Sequence, residues 1–306
     1  MKATLFHRSA QMSDEDLMGA SILCPFCGFA NRKRVELIQE EPKVALLNCD
    51  NCWASSASRM PTSEALKNYY SSYYLDKAER ITLDGPDRMA GHIYKYATPF
   101  LVNISGRDIS ILDYGGGDGS ISILLSEKLL KGGAKKVNIT LIDYDTSPVT
   151  SSNDRINILR LDSLESIKGQ SIDLAIASAV IEHVPQPRLV LERLFHSLKV
   201  GGVFYARTPY VTPFLKMSKV LGLNFDFTYP AHVHDLGAKF WGNILKVFSL
   251  EGNYSIIKTN PSIVETSLDR NFFRTLVAYV LKIPGYLFKE SYGLVGGWEI
   301  FIGRIS

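Results

Sequence analysis

Three groups of residues in this chain have the types and spacing to do chemistry. The first is a pair of Cys-x-x-Cys knuckles, Cys24 and Cys27 in CPFCG and Cys49 and Cys52 in CDNC, which together use all four cysteines of the protein. Four thiolates at that spacing can close a tetrahedral shell around one zinc ion, and a closed shell admits neither water nor substrate, so the zinc it implies is structural. The second group is ILDYGGGDGS, residues 111–120, with four glycines in ten positions and acids at Asp113 and Asp118. The third is histidine: His183 in IEHVP, and His232 and His234 in FTYPAHVHDLG. An imidazole titrates close to neutral pH and can take a proton from a reacting group.

The glycines mark where a ligand lies against bare backbone. Glycine tolerates positive φ and close approach, which Gly115, Gly117 and Gly119 would supply at a strand-to-helix bend. A dinucleotide-binding turn usually reads GxGxxG, with a helix N-terminus facing a pyrophosphate. Here the glycines run GxGxG and Asp113 precedes them. Two carboxylates would repel a pyrophosphate, yet they suit a ligand that carries an ammonium and a sulfonium. S-adenosylmethionine (SAM) carries both.

The elements that must position these groups follow from hydrophobic period. Strands are expected at 109–113, 137–143, 156–161, 172–177, 202–207, 254–259 and 298–304. Helical stripes fall between them, one made by Ile121, Leu124, Leu125 and Leu129, the other by Val190, Leu191, Leu194 and Leu198 ahead of Gly201. That alternation predicts an α/β protein with a doubly wound, mostly parallel sheet of seven strands, and its ligand outside the carboxyl ends of the strands. Three parts are expected: a zinc ribbon at 20–60, a tyrosine-rich helical connector or lid at 61–108, and a cofactor-binding domain at 109–306 with insertions at 208–250 and 261–296. RVELIQ and KVALLN, within the 21 residues between the knuckles, suit a hairpin. Tyr73 and Tyr74 are candidates for the lid.

Over roughly residues 105–260 the chain resembles the class I SAM-dependent methyltransferases, which have a Rossmann-like fold. Four motifs in order carry the resemblance: ILDYGGGDG, LIDYD, NILRLDSL, and IDLAIASAVIEHVPQPRLVLERLFHSLKVGGVFYARTP. The resemblance implies a cofactor set of Asp113, Gly115, Gly117, Gly119, Asp143, Asp162 and Ser178, with Asp143 on the ribose hydroxyls and Asp162 on the adenine amino group. An acid at the second strand's end can accept from a diol in bidentate fashion. Asp118 has a plainer reading as the cap of the following helix.

Methyl transfer is an in-line displacement, so the enzyme aligns a nucleophile and removes its proton where required. His232 is the first candidate for that base and His183 the second. The ribbon, the YYSSYY connector and this core together resemble bacterial methyltransferases of deoxysugar pathways and surface glycans. In the sugar C-methyltransferases a Tyr-x-Glu-His stretch occupies the insertion. Here it reads Tyr229-Pro230-Ala231-His232, without the Glu, and the chain has no room for their further C-terminal domain. The expectation is therefore methyl transfer to a small hydroxylated acceptor, a saccharide or nucleotide-linked sugar, with the methylated atom and the oligomeric state left open. One rival is an RNA base methyltransferase that uses Arg32, Lys33 and Arg34. The other is a SAM-binding scaffold without turnover.

A formal charge of +3 argues against a nucleic-acid partner. The first twenty residues lack the apolar core of a signal peptide, and no apolar run reaches membrane-spanning length, which suits a cytoplasmic protein. The stretch 270–289 is apolar around much of its circumference with basic flanks. It reads first as a helix packed over the acceptor site and second as a weak contact with a membrane surface.

Overall fold

The computed structural model describes residues 9–75, 85–145, 147–222, 225–264, 266, 269 and 271–306, and the side chains of 72–75 lie outside that description. The lid candidates Tyr73 and Tyr74 therefore fall outside the described side chains.

Two sheets organise the chain. The larger has seven strands: β4 (Asp108–Tyr114), β5 (Lys136–Ile142), β6 (Ile156–Leu161), β7 (Ile172–Ser178), β8 (Leu198–Tyr210), β10 (Tyr254–Pro261) and β11 (Gly296–Arg304). Their order is β10-β11-β8-β7-β4-β5-β6, with β11 antiparallel to both neighbours and the other described pairings parallel. The order reverses at β4, flanked by β5 and β7, so the crevice of the doubly wound sheet opens beyond Tyr114. This is the predicted fold class. Leu198, read from sequence as the last residue of a helical stripe, instead opens β8.

Period-two alternation places a core on each face of this sheet. Ile109 and Ile111 of β4 and Leu174 and Ile176 of β7 pack against α2 (Pro86–Ala97) and α3 (Ser120–Lys131). Leu112, Ala175 and Ala177 face the other way, toward α4 (Pro187–Ser197) and α6 (Ala238–Gly242). Helix α7 (Ile244–Val247) extends that second layer.

The smaller sheet joins β1 (Arg32–Gln39), β2 (Val44–Cys49), β3 (Ser55–Ala57) and β9 (His234–Asp235) in that order, all antiparallel. The first two strands are the hairpin expected between the knuckles. The fourth comes from far along the chain, after β8. Its Asp235 carboxylate accepts from the amides of Val211 (2.6 Å) and Thr212 (2.8 Å), capping α5 (Thr212–Val220). Helix α1 (Ser63–Leu75) leads from this sheet toward the mouth of the crevice.

Helix α8 (Phe272–Phe288) connects β10 to β11. The sequence reads it first as a helix packed over the acceptor site, but the side with which it packs is not its apolar one. Its buried residues are Thr275, Lys282 and Gly285, while its large apolar side chains are exposed. Among the described residues no helix is long and apolar enough to cross a membrane.

Candidate active site and cysteine cluster

Beyond the carboxyl ends of β4, β5 and β6 lies a cavity of roughly 560 Å³, within the range that holds a nucleoside-sized ligand. Gly115, Gly117, Asp143, Asp162 and His183 line it. The glycine turn is built for close approach. Gly115 (φ 72°) sits where a Cβ would lie 2.3 Å from Val180, and Gly117 (φ 55°) turns toward space with no atom within 4 Å of a Cβ. A ligand can therefore lie directly on the backbone at Gly117. Gly119 (φ 72°) precedes α3 and does not line the cavity.

The acids divide into distinct roles. Asp143 accepts from Gly117 N through one oxygen and from Asp145 N through the other, each at 2.8 Å, so it fixes the turn as well as facing the cavity. Asp162, at the end of β6, lines the wall. Asp113 lies beneath the turn, 2% exposed, with Oδ2 unpartnered. Burial pushes its carboxyl up to about 7 against the pull of the Ser122 hydroxyl, with the Asp143 and Asp118 charges adding to the rise. A cationic ligand group above the turn would relieve that isolated carboxyl. Asp118 accepts from Ser120 N at 3.0 Å, a turn bond just ahead of α3, whose N-cap residue is Gly119. Ser178 accepts from Arg207 Nε at 2.7 Å and is absent from the cavity lining.

Other residues of the site carried little signal in the sequence. Arg160 donates to the carbonyls of Gly117 (3.0 Å) and Asp145, clamping the turn from β6. Tyr70 of α1 stacks on Tyr144 with centroids 5.6 Å apart, and both line the cavity. Tyr144 directly follows Asp143, so an aromatic after the acid was the readable hint. Tyr70 belongs to the tyrosine-rich connector, three residues before the tyrosines singled out there.

The histidines meet at the cavity edge. The 3-10 turn Ile181–His183 after β7 carries Glu182 and His183, and Val233 N donates to the Glu182 carbonyl at 2.9 Å, which seats the loop bearing His232. The two rings lie with centroids 5.0 Å apart, and Glu182 Oε1 is 3.8 Å from His183 Nε2. His183 Nδ1 donates to the Ala231 carbonyl at 2.7 Å, and the Ala179 backbone also bonds this imidazole. Burial depresses this imidazole to about 4, so it is neutral at pH 7. For His232 the partner is Thr228, whose hydroxyl spends its proton on the Phe227 carbonyl (2.5 Å) and so accepts from His232 Nδ1 at 3.1 Å. His232 is 3% exposed and stands behind His183, which alone of the pair lines the cavity. His234 serves elsewhere, spanning from Ser56 Oγ (2.9 Å) to the Val184 carbonyl (2.8 Å) and so tying β3 to the turn after β7.

The four cysteines gather on one side of the small sheet. Cys24 and Cys52 have sulfurs 3.5 Å apart, Cys27 and Cys49 3.6 Å, and all four lie within 4.8 Å of one another. A tetrahedron with Zn–S bonds near 2.3 Å has edges of about 3.8 Å, so the donor set and spacing fit zinc. Arg32 folds back beside the sulfurs and donates to the Ser56 carbonyl at 2.8 Å, and Lys33 pairs with Asp50 at 3.0 Å. Of the three cations proposed for RNA contact, Arg32 is thus spent inside the small sheet, while Lys33 stays exposed at the surface beside Asp50.

The methyltransferase domain family matches residues 88–248, more than half of the chain. The chain belongs to that family. It carries a methyltransferase domain of class I fold. Among curated relatives, it is 31% identical over 150 residues to a ubiquinone biosynthesis O-methyltransferase of Colwellia psychrerythraea, covering 42% of this chain and 54% of the relative. It is 29% identical over 167 residues to the mitochondrial ubiquinone biosynthesis O-methyltransferase of Rattus norvegicus, covering 52% and 45%. The methyltransferase thus spans about half the length of the curated relatives it matches. Similar solved structures include the 1,6-didemethyltoxoflavin-N1-methyltransferase of Burkholderia thailandensis, at 13% identity and a TM-score of 0.48 over 86% of this chain and 96% of that one. The plantazolicin methyltransferase BamL is similar at 17% identity and a TM-score of 0.46, over 79% and 91%.

Proposed function

We propose that this methyltransferase methylates a hydroxyl oxygen of a small acceptor, a saccharide or nucleotide-linked sugar, and that the His183–His232 pair takes the hydroxyl proton. The observation that carries this reading is the pair itself: two imidazoles anchored through Nδ1, with ring centroids 5.0 Å apart, beside a buried carboxylate at the edge of the cavity. Bound SAM supplies an electrophilic methyl on a sulfonium. The chain's own part is to hold that cofactor through Gly115, Gly117, Asp143 and Asp162, with Asp113 beneath the turn. It also keeps water out with the Tyr70–Tyr144 stack and receives a proton. A neutral imidazole depressed by burial is a weak acceptor on its own, and Glu182 beside it offsets the charge that forms on protonation. The curated relatives are named as O-methyltransferases, which supports oxygen as the target. Cys24, Cys27, Cys49 and Cys52 hold one structural zinc in this reading.

The test is transfer of labelled methyl from SAM to a panel of nucleotide sugars, free glycosides, simple phenols and RNA, with the product's methylated atom located by NMR. An O-methylated sugar is the expected product. Labelled RNA, or label at carbon or nitrogen, rejects the reading.

A further inference from the structure

Helix α8 is inside out for a helix packed on a protein core. Thr275, Ala278, Lys282 and Gly285 recur at helical spacing, and the described contacts show this small and polar stripe facing the protein. Lys282 Nζ donates to the Ser262 carbonyl (2.6 Å) and hydroxyl (3.0 Å), Thr275 bonds Thr266 at 2.7 Å, and a Cβ on Gly285 would lie 2.4 Å from Val295. The opposite side presents Phe272, Phe273, Leu276, Val277, Val280 and Leu287, from 44% to 80% exposed, with Tyr279, Ile283, Tyr286 and Phe288 beside them. Ten exposed large apolar residues on one 17-residue helix form a surface that soluble chains rarely leave bare.

We propose that α8 is the element by which this protein lies on an anionic lipid bilayer. Three observations select that occupant. The first is charge: residues 272–289 contain Arg274, Lys282 and Lys289 and no acid, with Arg274 and Lys289 exposed near the two ends. Lengthwise pairing with a second copy sets Arg274 against Arg274 or against Lys289, with the exposed Glu290 adjoining. The second is composition: five of the ten exposed residues are aromatic, the side chains that settle at the level of lipid headgroups. The third is length: seventeen residues make about 25 Å of helix, which suits lying in the plane of the interface rather than spanning it.

The placement gives the contact a use. Pro261 at the end of β10 pairs with Trp298, and Gly296 at the start of β11 pairs with Tyr210 at the end of β8. Because β8, β7 and β4 run parallel, α8 springs from the end of the sheet that carries the glycine turn. A bilayer on α8 therefore sits at the cavity end of the molecule, where an acceptor with a lipid tail would present its headgroup.

Co-sedimentation of the full chain with vesicles tests this. Vesicles of phosphatidylcholine with roughly one part in three phosphatidylglycerol are compared with phosphatidylcholine alone. The wild-type chain is expected to pellet with the anionic vesicles. Phe273→Asp with Val280→Asp, both on exposed positions, is expected to weaken that binding by roughly tenfold or more while SAM affinity by calorimetry stays unchanged. Arg274→Glu should reduce the preference for anionic over neutral vesicles. Equal binding to neutral vesicles overturns the anionic assignment. A wild-type chain that stays in the supernatant, or a double variant that pellets as well as wild type, overturns the proposal. So does a wild-type dimer in sedimentation velocity that the double variant converts to monomer, with neither protein pelleting. Vesicle binding by a chain that failed to bind SAM would leave the docking intact and reject the cofactor reading instead.

Discussion

The cysteine cluster and the Glu182–His183–His232 cluster are both buried groups of metal- or proton-binding side chains drawn from distant parts of the chain, and they are built in opposite ways. The four sulfurs face one another at 3.5–3.6 Å across the two close pairs, and nothing of the cluster lines the cavity. In the second cluster each imidazole turns its Nδ1 outward to a carbonyl or hydroxyl, and one ring reaches the cavity. A donor set turned wholly inward can only hold something. A donor set anchored from behind, with one ring on a ligand space, can exchange a proton. The difference lies in where the anchoring hydrogen bonds are, and both arrangements occur within one small region, because His234 connects the ribbon strand to the turn that bears His183.

The largest expected effect breaks the closed cluster. Cys49→Ser or chelation should remove one zinc per chain and with it on the order of 10 kcal/mol of apparent stability. Phe26 of the first knuckle packs edge-on against His234 and Phe240, and Arg188 of α4 donates to its carbonyl at 2.7 Å. Calorimetry should therefore show the main unfolding transition falling. A separate ribbon transition, with the main one unmoved, would mean the two regions are energetically independent.

The next effect breaks the open cluster. His232→Gln should lower kcat by about 10²-fold with SAM affinity retained, and His183→Asn should do at least as much. The pH profile sharpens the assignment. His183 has its folded value depressed to about 4, so it stays neutral on descending from pH 8 to 5, and a rate limited by its free base stays flat over that range. The same depression has a stability consequence: the unfolded chain takes up a proton below about 6.5 and the folded chain does not, so stability falls as pH drops from about 6.5 toward 4 and then levels. An acid limb in kcat well above pH 4 would take the base role away from His183.

The smallest effect concerns the cofactor wall. Asp143→Ala should weaken SAM binding by about 2 kcal/mol, near thirtyfold, through loss of the ribose acceptor and of the bond to Gly117 N. Isothermal titration measures it. Unchanged affinity would show that the acid serves the turn alone.

Much of this was legible in the sequence because period and punctuation are local. The seven strands of the large sheet followed from aliphatic runs, and the crevice from one glycine turn. The hairpin between the knuckles followed likewise. What was not legible depended on long-range partners. Arg160 reads as an ordinary strand residue until Gly117 and Asp145 come to rest beneath it. His232 and His234 are two residues apart, and only tertiary contacts assign one to the cavity edge and the other to the ribbon. The inversion of α8 was missed because an apolar helix is expected to bury its apolar side. What fixed its rotation was Lys282 and Gly285, the residues a hydrophobicity reading discounts.

The pairing of Ser55 with Asp235 spans 180 residues. At translation rates of roughly 5–20 residues per second, the ribbon's last strand leaves the ribosome about ten to forty seconds after its third. During that interval the knuckles can take up metal while one edge of their sheet stays open. All four cysteines are thus synthesised well before the sheet is complete, and the nascent chain carries an unpaired strand edge that only the second half of the protein can close.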